Sequence, residues 1–166
     1  MGVHRVRCGV TQGVRNDGRT PRKISAFWRH VPRIVDGRKI GGFHVARVLI
    51  VDDTDIVRKA LEKAVQRMGH TTVSTSDSVE ALALALKNPP DLALVDYRMP
   101  TMDGAELWGE MRATLGDRCP KVLFISATPP DVVAKGVERV GQPAGFVKKP
   151  FHLDDLARVV ADALAQ

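Results

Sequence analysis

The sequence predicts an α/β fold from about residue 45 to residue 166: a doubly wound, five-stranded parallel sheet with helices on both faces. Two observations lead there. From Arg47 onward, short β-branched or apolar runs alternate regularly with longer stretches of helical period. Most of those runs are continuously apolar, as strands covered on both faces must be, and helices intervening between them call for right-handed βαβ crossovers.

The elements run in order along the chain. VLIV (48–51) is the first strand, and Ile56, Val57, Ala60, Leu61, Ala64, Val65 and Met68 then form one apolar helical stripe that Gly69 is placed to stop. TTVST (71–75) is the second strand, followed by a helical pattern over 78–87. LALV (92–95) and a helix over 104–115 come next. VLFI (122–125), a helix near 131–139, GFV (145–147) and a helix near 153–164 complete the series.

Residues 1–44 behave differently. They hold ten Lys or Arg against two Asp, a net +8, whereas residues 45–166 hold fifteen against seventeen, a net −2. Apart from a short SAFW cluster (25–28) the early stretch has neither a 2.0 nor a 3.6 period, so it is read as a basic, disordered extension with a boundary near Val45. No apolar run is long enough to cross a bilayer, and the start MGVHRVRCGVTQGV has basic residues with no continuous apolar stretch behind them, so the expected location is the cytoplasm. Cys8 and Cys119 have no metal-type spacing with the five His residues, so a zinc site or a disulfide framework is not expected. Cys119 is read as a small buried hydrophobe.

In a sheet of this type a ligand binds beyond the carboxyl ends of the strands. Strand 1 ends on Asp52 and Asp53, strand 3 on Asp96, strand 4 on Ser126, and strand 5 on Lys149 followed by Pro150. Carboxylates gathered at one rim repel one another by about 4 kcal/mol per pair at about 4 Å and an effective dielectric of about 20. A cation is needed to hold them, and oxygen-only ligands suit Mg²⁺ better than a Ca²⁺ cage. With Lys149 and Ser126 offering donors to an anion that shares the metal, the set suits phosphoryl transfer onto a carboxylate, with Asp96 as nucleophile.

The runs RVLIVDD (47–53), DYRMPTMDG (96–104), VLFISA (122–127) and GFVKKPF (145–151) together resemble the receiver domain of bacterial two-component response regulators. The match covers about 46–166. Each run alone is a weak signal, but four in the right order, each at the end of an expected strand, are specific. The resemblance implies a flavodoxin-like strand order, 2-1-3-4-5. It also implies that Asp96 accepts a phosphoryl group from a sensor histidine kinase or a histidine phosphotransfer protein, with Mg²⁺-dependent self-phosphorylation and self-dephosphorylation in place of enzymatic turnover. Asp53, Asp96 and the Arg98 carbonyl would hold Mg²⁺, with Asp52 acting mainly through water. Lys149 would meet the phosphoryl oxygens, and the Lys149–Pro150 bond would be cis. Ser126 and Phe146 would form the switch, with output to a protein target through the face of helix 4, strand 5 and helix 5, about 131–164.

Some positions depart from common members. Phe146 lacks the hydroxyl of the Tyr often found there, which questions any switch that uses that hydrogen bond. Arg98 and Thr128 flank the reactive position, where members differ in dephosphorylation rate. Lys148 is expected to point to the other side of its strand, leaving Lys149 as the site lysine.

Simpler roles compete at several residues. Asp52 and Asp53 have a capping alternative, which Thr54 or Asp55 can fill instead. Asp103 is read as the cap of helix 3 and Gly104 as permitting the turn before it. Trp108 and Met111 are read as core or groove fillers, Phe151 as core, and His152 as the start of the last helix. A haloacid-dehalogenase-type phosphatase would need a second Asp two residues after the nucleophile, and that position is Arg98. A receiver-like module that no longer takes phosphate is opposed by the complete set of Asp52, Asp53, Asp96, Ser126 and Lys149. Nucleic-acid binding would rest on the basic extension alone. No output domain is evident after Gln166, so a stand-alone regulator acting by protein contact is expected. If Val45 is a start codon read as Met, residues 1–44 are absent from the natural product.

Overall fold

The computed structural model describes residues 45–165, together with the backbone of residues 34–35 and 38–39. Those two short segments pair antiparallel, Ile34 opposite Lys39 and Val35 opposite Arg38. The expectations for residues 1–44 otherwise lie outside the described residues. The five-stranded sheet and its helices belong to the second of the chain's two units, Val31–Gln166.

Five strands and five helices alternate: β1 (Arg47–Val51), α1 (Asp55–Arg67), β2 (Thr71–Thr75), α2 (Ser78–Lys87), β3 (Leu92–Val95), α3 (Gly104–Leu115), β4 (Lys121–Ser126), α4 (Pro130–Val137), β5 (Gly145–Lys148) and α5 (Leu153–Ala165). All strand pairs are parallel and the order is β2-β1-β3-β4-β5, the flavodoxin-like 2-1-3-4-5. Apart from Arg47, Lys121 and Ser126 at their ends, the central strands β1, β3 and β4 are apolar, because both of their faces are covered. Leu49, Val51, Ala93, Val95, Val122 and Phe124 lie in one cluster with Ala81 and Ala85 of α2, Leu107, Trp108 and Met111 of α3, and Val133 and Val137 of α4. By the period of two, Val48, Ile50, Leu92, Leu94, Leu123 and Ile125 face the opposite side. There α1 buries Leu61, Ala64 and Val65, and α5 buries Leu156, Ala157, Val160 and Ala163.

Local chemistry sets most helix ends. Asp77 caps α2, its carboxylate accepting from the amides of Val79 and Glu80. Asp103 and Glu106 form a reciprocal capping box at the start of α3. Pro130 stands in the first turn of α4, where its missing amide proton costs nothing. Gly69, at φ +87°, stops α1 in the left-handed conformation that glycine permits.

The stripe on α1 is shorter than its periodicity predicts. Leu61, Ala64, Val65 and Met68 are buried, but Ile56 is 82% exposed and Ala60 is exposed. Helix α1 starts beyond the carboxyl end of β1, so its first turn has no strand beneath it to cover. Trp108 and Met111 are core residues, whereas Phe151 is only half-buried, in the loop that follows Pro150.

Candidate functional site at the carboxyl edge of the sheet

Strand register creates the site. Val51 lies opposite Val95, so the next residues, Asp52 and Asp96, leave the sheet side by side, and the Asp96 amide donates to the Val51 carbonyl at 2.8 Å. On the other flank Ser126 pairs with Lys148, and the Lys149 amide donates to the Ser126 carbonyl at 2.9 Å. Lys149 is thereby turned toward the two carboxylates. Its Nζ donates to Asp52 Oδ2 at 2.7 Å and to Asp96 Oδ2 at 2.6 Å.

Asp52 is wholly buried and Asp96 nearly so, while Asp53 is exposed. One oxygen from each of the three lies within 4.8 Å of the others. Burial pushes the Asp52 carboxyl up, against the lowering pull of the Lys149 hydrogen bond, the Thr54 amide and the Lys149 charge. Burial alone would lower the Lys149 ammonium, but hydrogen bonds to Asp52 and Asp96 and their charges outweigh it, so Lys149 stays protonated above its ordinary range. Three carboxylates facing one ammonium leave two negative charges, which a divalent cation balances. Oxygen donors alone, at a half-open rim, fit a hard cation of the Mg²⁺ type.

The loops hold the acidic groups in place. Asp52 Oδ1 accepts from the Thr54 amide at 2.9 Å, and the Asp52 carbonyl accepts from Arg58 Nη1 at 2.7 Å. Arg58 also pairs with Asp55. Thr54 is the residue before α1, yet its hydroxyl donates to Asp53 Oδ1 and makes no cap. Asp96 Oδ1 accepts from the Arg98 amide at 3.2 Å, the Asx-type turn that lets a strand end on a carboxylate.

Ser126 is buried and its Oγ accepts from the Thr128 amide at 3.1 Å. Phe146 stacks on Phe124, centroids 6.2 Å apart and planes at 21°. The Lys149–Pro150 bond is cis, and Lys148 is exposed. Asp103 serves α3 as a cap. Gly104 has another reason than the turn expected of it. It is not among the positive-φ glycines, but a Cβ there would stand 2.5 Å from the Asp96 carbonyl oxygen and 3.0 Å from Phe124 Cε1. Sequence reading misses Arg58 and Tyr97. The Asp55/Arg58 spacing signals only a helix pair, and a lone Tyr after an Asp carries no pattern.

The model of the response regulator receiver domain matches residues 48–161. The chain belongs to this family. It is therefore a receiver of two-component, phosphorelay signalling. Response regulator MprA of Mycobacterium sp. (strain KMS) is 37% identical over 113 residues, 66% of this chain and 46% of that protein. The chain thus spans about half the length of the curated relatives it matches first. Among solved structures, the chemotaxis response regulator CheY4 of Vibrio cholerae aligns with a TM-score of 0.67 at 27% identity, covering 72% of this chain and 99% of that one. The receiver domain of sensor histidine kinase PA1611 of Pseudomonas aeruginosa PAO1, which carries a magnesium ion in its active-site cleft, aligns with a TM-score of 0.66 over 74% of this chain and 100% of that one. At 21% identity that likeness is one of fold. Among the described residues of the receiver, no helix is long and apolar enough to cross a membrane.

Proposed function

We propose that Asp96 is the phosphoacceptor of this receiver. The observation that carries the reading is the in-register ending of β1 and β3, which sets Asp52 and Asp53 beside Asp96 with Lys149 Nζ 2.6 Å from its carboxylate. An Asp96 oxygen attacks phosphorus, forming the O–P bond as the P–N bond to a donor phosphohistidine breaks, and the electron pair leaves with the imidazole. Water attacking the acyl phosphate later reverses the modification. Asp53, Asp96 and the Arg98 carbonyl would hold Mg²⁺, with Asp52 acting mainly through water, and the ion would supply the positive charge that neutralises the carboxylates and the incoming phosphate. Lys149 exchanges its carboxylate partners for phosphoryl oxygens. Ser126 lies across the rim from Asp96, where its hydroxyl can donate to the same group, and Phe146 follows by packing because it has no hydroxyl.

The partners of this reading are a sensor histidine kinase or a histidine phosphotransfer protein upstream and a protein target downstream, met on α4, β5 and α5. Its setting is the cytoplasm. Residues 1–44 are a separable extension.

Acetyl phosphate with Mg²⁺ is expected to add one phosphoryl group by intact mass. Asp96→Asn, Asp53→Ala or excess EDTA is expected to abolish the addition. Equal labelling of Asp96→Asn would overturn the assignment of the acceptor, and equal labelling in EDTA would overturn that of the metal.

A further inference from the structure

The chain contains a single tyrosine, Tyr97, and it follows Asp96 directly. It is only 9% exposed. Its backbone is held by the first turn of α3. The Tyr97 carbonyl accepts from the Gly104 amide at 3.0 Å, and a Cβ on Gly104 would stand 3.1 Å from Tyr97 Cα.

The ring has two neighbours. It meets Phe124 edge-on, centroids 6.0 Å apart and planes at 85°. Its hydroxyl end lies against α4 at Gly136. A Cβ there would overlap the hydroxyl oxygen and stand 3.1 Å from Cζ and 3.4 Å from Cε2. Helix α4 is lightly anchored, with only Val133 and Val137 buried and no side-chain cap at its start. Phe124 also stacks on Phe146, so the Tyr97 and Phe146 sides of the molecule meet on one ring.

We propose that Tyr97 is a positioning residue that couples the phosphoacceptor to α4 through the contact of its hydroxyl with the backbone of Gly136. The proposal rests on Asp96 as acceptor. Phe146 has no hydroxyl, and the hydroxyl on this three-ring cluster belongs to Tyr97, the residue covalently next to the acceptor. Linkage makes the coupling reciprocal: whatever moves α4 alters the stability of the phosphorylated form, and phosphorylation alters where α4 rests.

The test is a double-mutant cycle read in two ways. With 3-fluorotyrosine the protein gives one ¹⁹F resonance from residue 97, which is expected to shift on Gly136→Ala without phosphate and again when the unaltered chain is phosphorylated. The lifetime of the aspartyl phosphate is expected to change at least about threefold on Gly136→Ala, but less than about 1.5-fold when Tyr97→Phe accompanies it. A Gly136→Ala chain that folds only together with Tyr97→Phe supports the contact equally. An equal effect of Gly136→Ala with and without Tyr97→Phe, or a resonance that Gly136→Ala leaves unmoved, overturns the coupling. Absence of labelling at Asp96 overturns the acceptor reading, and the coupling with it, while the resonance shift without phosphate still reports on the contact itself.

Discussion

Lys149 holds together two carboxylates that water barely reaches. Asp52 is wholly buried, and its Oδ2 has the ammonium at 2.7 Å. Removing one member of a buried pair leaves the other charged and uncompensated, which costs more than the pair itself contributes. We therefore expect Lys149→Met, in the presence of a chelator, to lose about 3 kcal/mol of stability in urea denaturation, at the low end of the range for leaving a buried charged group without its partner. A melting curve that coincides with the unaltered chain would show that the contacts with Asp52 and Asp96 contribute nothing to the fold. The same residues show what the sequence makes legible. Asp52, Asp53, Asp96, Ser126 and Lys149 are readable because each closes an apolar run, and the termini of parallel strands share an edge. Tyr97 is not, because its role depends on which helix crosses above it, and periodicity carries no information on that.

The elements matter through their starting points as much as through their lengths. All five strands of the parallel sheet and their five helices are legible from the alternation of apolar runs and helical stripes, with ends displaced by a residue or two at β1, β4, α4, β5 and α5. The errors have physical causes. Ile56 continues the stripe of α1 in sequence, but it lies past the sheet edge and has nothing to cover. Gly104 reads as a turn residue, yet its φ is ordinary and its small size is what α3 needs to reach the Asp96 carbonyl. That difference is testable. A methyl group 2.5 Å from a backbone oxygen cannot be absorbed by a side-chain rotation, so the start of α3 must move. Gly104→Ala is expected to destabilise the chain by about 2 kcal/mol, in the range for overpacking a filled site, and to slow phosphorylation of Asp96 by acetyl phosphate. Asp103→Ala provides the comparison. It removes only the cap, costing about 1 kcal/mol, and should slow phosphorylation less. If Gly104→Ala matches the unaltered chain in both measurements, close approach is not why this residue is glycine.

At the scale of the whole molecule, the question is where the folding unit begins. The positive charge is concentrated before Val45, and among the described residues every side chain assigned to the core or the site lies at or after Ala46. Ala46 itself belongs to the fold. It is buried, its amide donates to His70 Nδ1 at 3.3 Å, and its carbonyl accepts from the Thr71 amide at 3.0 Å, fastening the start of β1 to the start of β2. One residue later the Arg47 amide donates to Asp91 Oδ2 at 2.7 Å, and the Arg47 carbonyl accepts from the Asp91 amide, joining β1 to the lead-in of β3. A chain shortened to residues 45–166 keeps all of these contacts, so it is expected to match the full chain in urea denaturation and in Mg²⁺-dependent labelling. One shortened to 48–166 loses both fastenings on a strand that lies between β2 and β3, and it is expected to be less stable by about 2 kcal/mol or more, about 1 kcal/mol for each backbone hydrogen bond lost. Measuring the two truncations side by side separates a dispensable extension from a structural one. Loss of stability already at 45–166 would show that the first 44 residues support the receiver. If only partner binding were lost, and lost more steeply as salt is raised, the basic extension would be a tether to an acidic partner.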